Sequence, residues 1–253
     1  SGVYSEIHPF NSITTETISS FDPKGVILSG GPDSINDKDT PRAPEGLFNM
    51  GLPILGICYG QMAMAEALGG EIVSSAQREF GRAFLNITGD CELFRDVWAV
   101  GSREEVWMSH GDRIETPPPG FRTVASSKNA PFATIADDER HFYGLMYHPE
   151  VVHTPQGARL LKNFTHKICG CVGDWTMAGF KKQQIDKIRT KVGNGKVICG
   201  LSGGIDSSVV AVLLHEAIGD RLQCVFVDTG FMRKGEAQEV VSMFNNHYKI
   251  PLI

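Results

Sequence analysis

Cys58 stands where two segments of opposite character meet. The stretch before it is apolar and reads as a buried strand over Ile54–Ile57. The stretch after it, Gln61–Leu68, is built from Ala, Met, Glu and Leu, which favour helix, and Gly69-Gly70 supplies a stop. A reactive side chain on a sharp strand-to-helix turn has the layout of a nucleophile elbow. Gly56 and Gly60 on either side let the backbone turn tightly and a substrate approach. A helix N-terminus favours negative charge and so supports a thiolate. The competing reading is a buried structural cysteine, the usual fate of a free Cys.

A cysteine nucleophile needs a base and a group to orient that base. His148 and Glu150 follow an apolar segment, Phe142–Met146, that reads as a strand. Both can then project into a cleft at the carboxyl edge of a sheet, where open α/β sheets place ligands. Glu150 can hold one ring nitrogen of His148 and fix its tautomer. Pro149 alone would account for a turn at this point, so spacing leaves that reading open. Backbone N–H groups of Gly31, in the Ser29-Gly-Gly-Pro-Asp33 loop, and of Tyr59 can form an oxyanion hole. A plain turn explains the same loop.

A second constellation is Ser202, Gly203, Gly204, Ile205, Asp206, Ser207 and Ser208, between a predicted strand at Lys196–Leu201 and a helix at Val209–Ile218. It has neither the Gly-Lys-Ser/Thr of a Walker loop nor a dinucleotide fingerprint. Its glycines expose N–H groups, its serines supply hydroxyls, and the helix N-terminus attracts an anion, which suits a phosphate. Asp206 is an acid beside that anion, and a magnesium ion between them reconciles the charges. The alternative is a Ser/Asp-capped helix after a glycine turn.

These residues must be held by an alternation of strands and helices, which argues for an α/β sheet with parallel strands. Short strands are predicted at Val3–Ile7, Gly25–Leu28, Glu71–Ser74, Phe84–Ile87, Glu105–Met108, Thr123–Ser126, Thr134–Ala136 and Cys224–Val227. Helices are predicted at Asn11–Phe21, Gly157–Ile168, Met177–Val192 and Ala237–Tyr248. Ser109–Asp112 is placed after a strand. The pattern breaks at Cys169–Thr176, which divides the chain into residues 1–170 and 171–253.

Composition narrows the function. With 253 residues the chain has room for one or two domains, and a net charge of −5 gives no electrostatic footprint for nucleic acid. No apolar run approaches the roughly 20 residues of a membrane span. The six cysteines have neither disulfide-framework density nor paired zinc spacing, which points to a reducing, cytoplasmic setting. No basic region followed by an apolar stretch marks a secretory signal at the N-terminus.

The Cys58 elbow followed by His148-Pro149-Glu150 resembles the triad of the class I glutamine amidotransferases, and Ser29–Pro32 resembles that family's oxyanion loop. The resemblance covers roughly residues 1–169. It implies a flavodoxin-like, mostly parallel sheet whose first strand and helix would precede Ser1. It also implies glutamine as substrate, held by Gln61, Ser109, His110 and Asp112. One departure stands out: the family's substrate-holding Gln lies four residues after the nucleophile, where this chain has Met62. The loop from Ser202 to Ser208 resembles that of the N-type ATP pyrophosphatases, whose domain has an adenine-nucleotide α-hydrolase-like fold. Val227-Asp228-Thr229-Gly230 resembles the segment that meets the nucleotide base and ribose. ATP with Mg2+ is implied, with Asp206 as a metal contact.

Other pyrophosphatase-loop ligases carry glutaminases of unrelated fold. A class I glutaminase placed before this loop is similar to one amidoligase family, which aminates xanthosine monophosphate. Glu79–Gly81, Val106–Asp112, His148–Thr154 and Phe226–Gly230 carry that likeness. It implies a homodimer for a complete enzyme, with the rest of the pyrophosphatase domain and a dimerisation domain following Ile253. Two alternatives are a stand-alone glutaminase serving another synthase and a regulatory relative that has lost its chemistry.

Overall fold

The computed structural model describes residues 2–228, 230–250 and 252–253, with the side chains of 75–78 outside the description. The chain forms two compact units, Ser1–Asp174 and Trp175–Ile253.

The first unit is built on a seven-stranded sheet. Its strands are β1 (Val26–Leu28), β2 (Ile54–Ile57), β3 (Glu71–Ile87), β4 (Arg103–Thr116), β5 (Arg122–Ser126), β6 (Thr134–Asp137) and β7 (Phe142–Leu145), in the spatial order β1-β2-β7-β6-β5-β3-β4. β1, β2 and β7 run parallel, with Leu28, Gly56 and Gly144 in register. From β7 outward through β6, β5, β3 and β4 every pairing is antiparallel. The parallel part carries the elbow; the antiparallel part extends the sheet beyond it. All four residues of β2, β6 and β7 are buried, as expected for strands covered on both faces.

Helix α1 (Thr15–Phe21) starts later than its apolar pattern suggests, because Thr14 caps it by accepting from Thr17 N–H at 3.2 Å. Helix α2 (Tyr59–Ala67) follows β2 directly, and every residue from Tyr59 to Ala65 is buried. A helix apolar all round belongs inside a core. It packs closely because Gly56 and Gly60 lack side chains: a Cβ on Gly60 would lie 2.0 Å from the Leu28 carbonyl oxygen, and one on Gly56 2.6 Å from Gly60 O. After β7, helix α3 (Gly157–Lys162) passes into a π-helical turn over Asn163–Ile168. Buried Asn163 donates there to Leu93 O and Arg95 O, which ties the widened turn to the preceding segment.

Two expectations change. Val3–Ile7 forms no strand: these residues have no neighbour in the sheet, Ile7 is 98% exposed, and Tyr4 rests on the Phe21 ring instead. The short strands at 71–74 and 84–87 are one long strand, β3, paired with β4 in a ribbon whose register shifts between Ser74 and Glu79. Ser109–Asp112 therefore lies inside β4, not in a loop after it.

The second unit contains α4 (Met177–Val192), β8 (Val197–Leu201), α5 (Ile205–Ile218), β9 (Leu222–Phe226) and α6 (Glu236–Ser242), the last continuing as a π-turn over Met243–Tyr248. β8 and β9 pair in parallel, and Cys199, Leu201, Ala211, Cys224, Val240 and Phe244 centre its core. Arg189 of α4 donates to Ala217 O and Glu216 O at the end of α5, capping carbonyls that lack helical partners.

The close approach of α2 to β1 predicts a sharp sensitivity. Gly60→Ala should destabilise the first unit by about 3 kcal/mol, the upper end of the usual cost of overpacking, because the new methyl meets backbone that cannot move aside. A urea unfolding midpoint equal to that of the unsubstituted chain would refute this packing.

Candidate active site

Cys58 caps α2 with φ 50° and ψ −109°, a left-handed backbone that a side chain adopts at a cost of roughly 1–3 kcal/mol. Its N–H donates to Leu145 O of β7 at 2.6 Å, and its carbonyl receives Gln61 N at 3.0 Å. These bonds at the middle of the sheet hold the turn in place. The thiol is buried and donates to the Ser109 carbonyl, 3.3 Å away, on β4. Tyr59 is the first helical residue, whose N–H no helical carbonyl accepts.

His148 leaves the end of β7. Its N–H donates to Trp107 O at 3.0 Å, and its carbonyl accepts from buried Thr154 Oγ1 at 2.6 Å. Gly157 lets α3 press on this turn, since a Cβ there would lie 2.0 Å from Pro149 O. The ring Nδ1 pairs with Glu150 Oε1 at 2.6 Å, and Nε2 is buried with no hydrogen-bond partner among the described residues. The adjacent Cys58 thiol and the Glu150 hydrogen bond lift His148, against partial burial, to about 10 from its ordinary 6.5. Burial works to raise Glu150, but the hydrogen bond from His148, a backbone hydrogen bond and the charge of His148 together hold the carboxyl below its ordinary value.

Gly30 closes the third side. A Cβ built on it would stand 3.1 Å from His148 Cε1 and 3.5 Å from Cys58 Cβ, so loop, elbow and imidazole border one another. A Cβ built on Gly31 would stand 3.7 Å from Tyr59 Cγ, so this glycine borders the base of the Tyr59 ring. Cys58, His148, Glu150, Gly31 and Tyr59 thus converge at the carboxyl ends of three adjacent parallel strands.

The residues assigned to glutamine by resemblance divide. Ser109 meets Cys58 through its carbonyl, and its side chain is exposed. Asp112 is buried, and its Oδ2 accepts from Ser34 Oγ at 2.5 Å and Ile35 N at 3.2 Å, tying β4 to the loop after Gly31. His110 and Gln61 turn into the core. His110 Nδ1 bonds Asp112 O, its Nε2 faces Glu79 at 3.5 Å, and burial pushes its imidazole below the ordinary value. Gln61 donates from Nε2 to Phe132 O at 2.9 Å and packs across Gly144, beneath the sheet's centre. It therefore does not replace the side chain that Met62 lacks; Met62 joins the core cluster around Cys58 and Tyr59.

At the second constellation, Gly204 caps α5 and Gly203 takes φ +82°, with Met232 Cε 2.9 Å from where its Cβ would be. The serines hold the loop in shape: Ser202 N donates to Ser207 Oγ at 3.2 Å, Gly204 N to Ser202 Oγ at 3.3 Å, and Ser207 and Ser208 hydroxyls to Gly204 O. Ile205 and Asp206 are exposed in the first helical turn. Val227 is exposed just beyond β9, and Asp228 accepts from Gly230 N at 2.9 Å; Thr229 lies outside the described residues.

Sequence reasoning missed Arg42, Glu79 and Thr154 as parts of the site. Glu79 and Thr154 sit in segments already singled out, whereas Arg42, in a Pro-rich stretch, carries no local signal of its partners.

With this geometry in hand, comparison with known proteins is direct. The family model "Glutamine amidotransferase class-I" matches residues 1–168, and the model "NAD synthase" matches residues 180–250. The chain belongs to the class I glutamine amidotransferases. Across its whole length it is 58% identical to the glutamine-hydrolyzing GMP synthase of Bradyrhizobium diazoefficiens, of which it covers 46%. It is 56% identical to the protein of the same name from Zymomonas mobilis, of which it covers 48%. The chain spans about half the length of these curated relatives. A solved structure from Thermoplasma acidophilum, named for a GMP synthase subunit, matches 66% of this chain and 79% of its own at 29% identity, with a TM-score of 0.54.

The lifted His148 makes stability depend on pH. The charged ring's contribution is fully present below 6.5 and is lost as pH rises toward about 10. The carboxylate of Glu150 contributes above its ordinary 4.5, and that contribution is lost as pH falls through its lowered value. The melting-temperature difference between the wild-type chain and His148→Gln should shrink steadily across the upper window. A difference that stays constant there would contradict the assigned protonation.

Proposed function

We propose that this chain forms the glutamine-hydrolysing unit and the opening part of the ATP-using unit of a GMP synthase. The observation that carries the reading is that the match to proteins of that name, at 58% and 56% identity, covers the whole of this chain and so both units.

In the first half-reaction Cys58 passes its proton to His148 and its sulfur attacks the side-chain amide carbon of glutamine. The N–H groups of Gly31 and Tyr59 receive the developing oxyanion. His148, oriented by Glu150, delivers a proton to the departing nitrogen, so that ammonia leaves and a thioester remains. Water, deprotonated by the same imidazole, releases glutamate and restores the thiol. The amide is held by backbone and by strap residues near Asp112, since Gln61 faces the core.

In the second half-reaction the xanthosine monophosphate C2 oxygen attacks the α-phosphorus of ATP and pyrophosphate leaves. Ammonia then displaces AMP to give GMP. Ser202, Gly203, Gly204, Ser207 and Ser208 would hold the β- and γ-phosphates, exchanging their mutual hydrogen bonds for bonds to the anion; Val227 would border the nucleoside. Asp206 is the loop's one acid. Among the described residues no cluster of three or more His, Cys, Asp or Glu could hold a metal by itself. That fits a magnesium ion carried chiefly by phosphates and water, with one protein carboxylate. Among the described residues no helix is long and apolar enough to cross a membrane. The reading extends to a cytoplasmic homodimer for the full-length enzyme.

In a chain of the relatives' full length, Cys58→Ala should abolish GMP formation from glutamine and leave formation from ammonia intact. ATP labelled at the γ-phosphate should yield labelled pyrophosphate. Loss of the ammonia-dependent activity would make Cys58 structural, and labelled orthophosphate would rule out the assignment of the loop.

A further inference from the structure

The segment from Ser29 to Arg42 runs as a strap over the mouth of the elbow, without regular structure. Its first end, Gly30-Gly31, borders His148, Cys58 and the Tyr59 ring. Its middle is gripped through both backbone groups of one residue: Ile35 N–H donates to the Asp112 carboxylate, and Ile35 O accepts from Arg42 Nη2 at 2.7 Å. Ile35 itself is 3% exposed. Its far end returns to the catalytic helix. Arg42 Nε and Nη2 meet the two carboxylate oxygens of Glu66 at 2.8 and 3.2 Å, and Nη1 donates to Tyr59 Oη at 3.0 Å. The Tyr59 hydroxyl donates to Pro41 O at 2.7 Å.

One planar guanidinium therefore joins the strap's backbone to two residues of α2, one of them adjacent to the nucleophile. Arg suits this junction because its fork reaches a carboxylate with two parallel bonds and still has donors left over. A surface ion pair contributes little stability alone, and this one is more than a third exposed. Its value here is geometric. The two oxyanion donors belong to different segments, Gly31 to the strap and Tyr59 to α2, and nothing in the covalent chain fixes their separation.

We infer that Arg42 is a positioning residue for glutamine hydrolysis: it sets the spacing between the Gly31 and Tyr59 N–H groups by clamping the strap onto α2 through Ile35 O, Glu66 and Tyr59 Oη. This rests on the amidotransferase reading of the Cys58 site.

The test compares wild type, Arg42→Ala and Arg42→Lys in the full chain by three measurements. Glutamine hydrolysis should lose about 10²-fold in kcat in Arg42→Ala, with KM changing much less, because the donors act on charge that appears in the transition state and small misplacements are costly. Arg42→Lys, which cannot bridge three partners, should recover only part of the loss, and added ethylguanidinium should recover activity in Arg42→Ala. Alkylation of Cys58 by iodoacetamide forms no oxyanion and should keep its wild-type rate. Amide exchange at Ile35, whose N–H is bonded to Asp112, should accelerate in Arg42→Ala while α2 keeps its protection. Unchanged kcat, a parallel fall in alkylation, or unchanged exchange in the strap would each overturn the inference. A wild-type chain that hydrolyses no glutamine would overturn the amidotransferase reading instead, and the exchange measurement would still decide whether Arg42 holds the strap.

Discussion

Leu28, Gly56 and Gly144 lie side by side across three parallel strands, and the site depends on that register. It brings three chain segments, far apart in sequence, to one edge: the glycine loop after β1, the cysteine after β2 and the histidine after β7. Gly56 and Gly60 then let α2 settle almost onto the backbone of β1 and β2. The strained Cys58 backbone follows from that approach. It is held by the bond from Cys58 N to Leu145 O and by a helix with no exposed face from Tyr59 to Ala65. The chemistry is thus an outcome of backbone packing, in which small residues matter as much as reactive ones.

Around that centre the antiparallel ribbon of β3 and β4 supplies the outer wall. It places the Ser109 carbonyl beside the thiol and sends the Asp112 carboxylate to the strap. His110, between them, belongs to a buried set with Glu79 and Ser127, in which the Ser127 hydroxyl donates to Glu79 at 3.2 Å. Burial keeps the His110 imidazole below its ordinary value, and the nearby Glu79 pulls the other way. Asp112, named by resemblance as a substrate residue, has one oxygen committed to holding the loop that faces the substrate. Buried carboxylates of this kind order backbone most effectively when N–H and hydroxyl donors converge on them.

Much of the centre was legible in the sequence because its signals are local. An apolar run, glycines spaced around a cysteine and a following set of helix formers defined β2, Cys58 and α2 without knowledge of the rest. The same holds for α4, where apolar periodicity and the Gly193 stop mark an amphipathic helix. What was not legible is long-range. Val3–Ile7 has strand composition but no partner strand. The faces of Gln61 and His110 depend on how α2 and β4 sit against the sheet, which their residue types do not encode. Arg42 could not be read at all: its partners Ile35, Tyr59 and Glu66 come together only when the strap folds over α2. The joined length of β3 was hidden by Gly81 and by the polar residues between its two apolar pieces.

The central claim is that Cys58 is the nucleophile of an amide hydrolysis assembled at this sheet edge. The most direct measurement is acid quenching of the chain during turnover of isotopically labelled glutamine, followed by mass spectrometry of its cysteine-containing peptides. A glutamyl thioester, with the mass of glutamine less ammonia, should appear on the Cys58 peptide and vanish in Cys58→Ala. Ammonia release with no such adduct, or with the adduct on any other cysteine, would contradict the account.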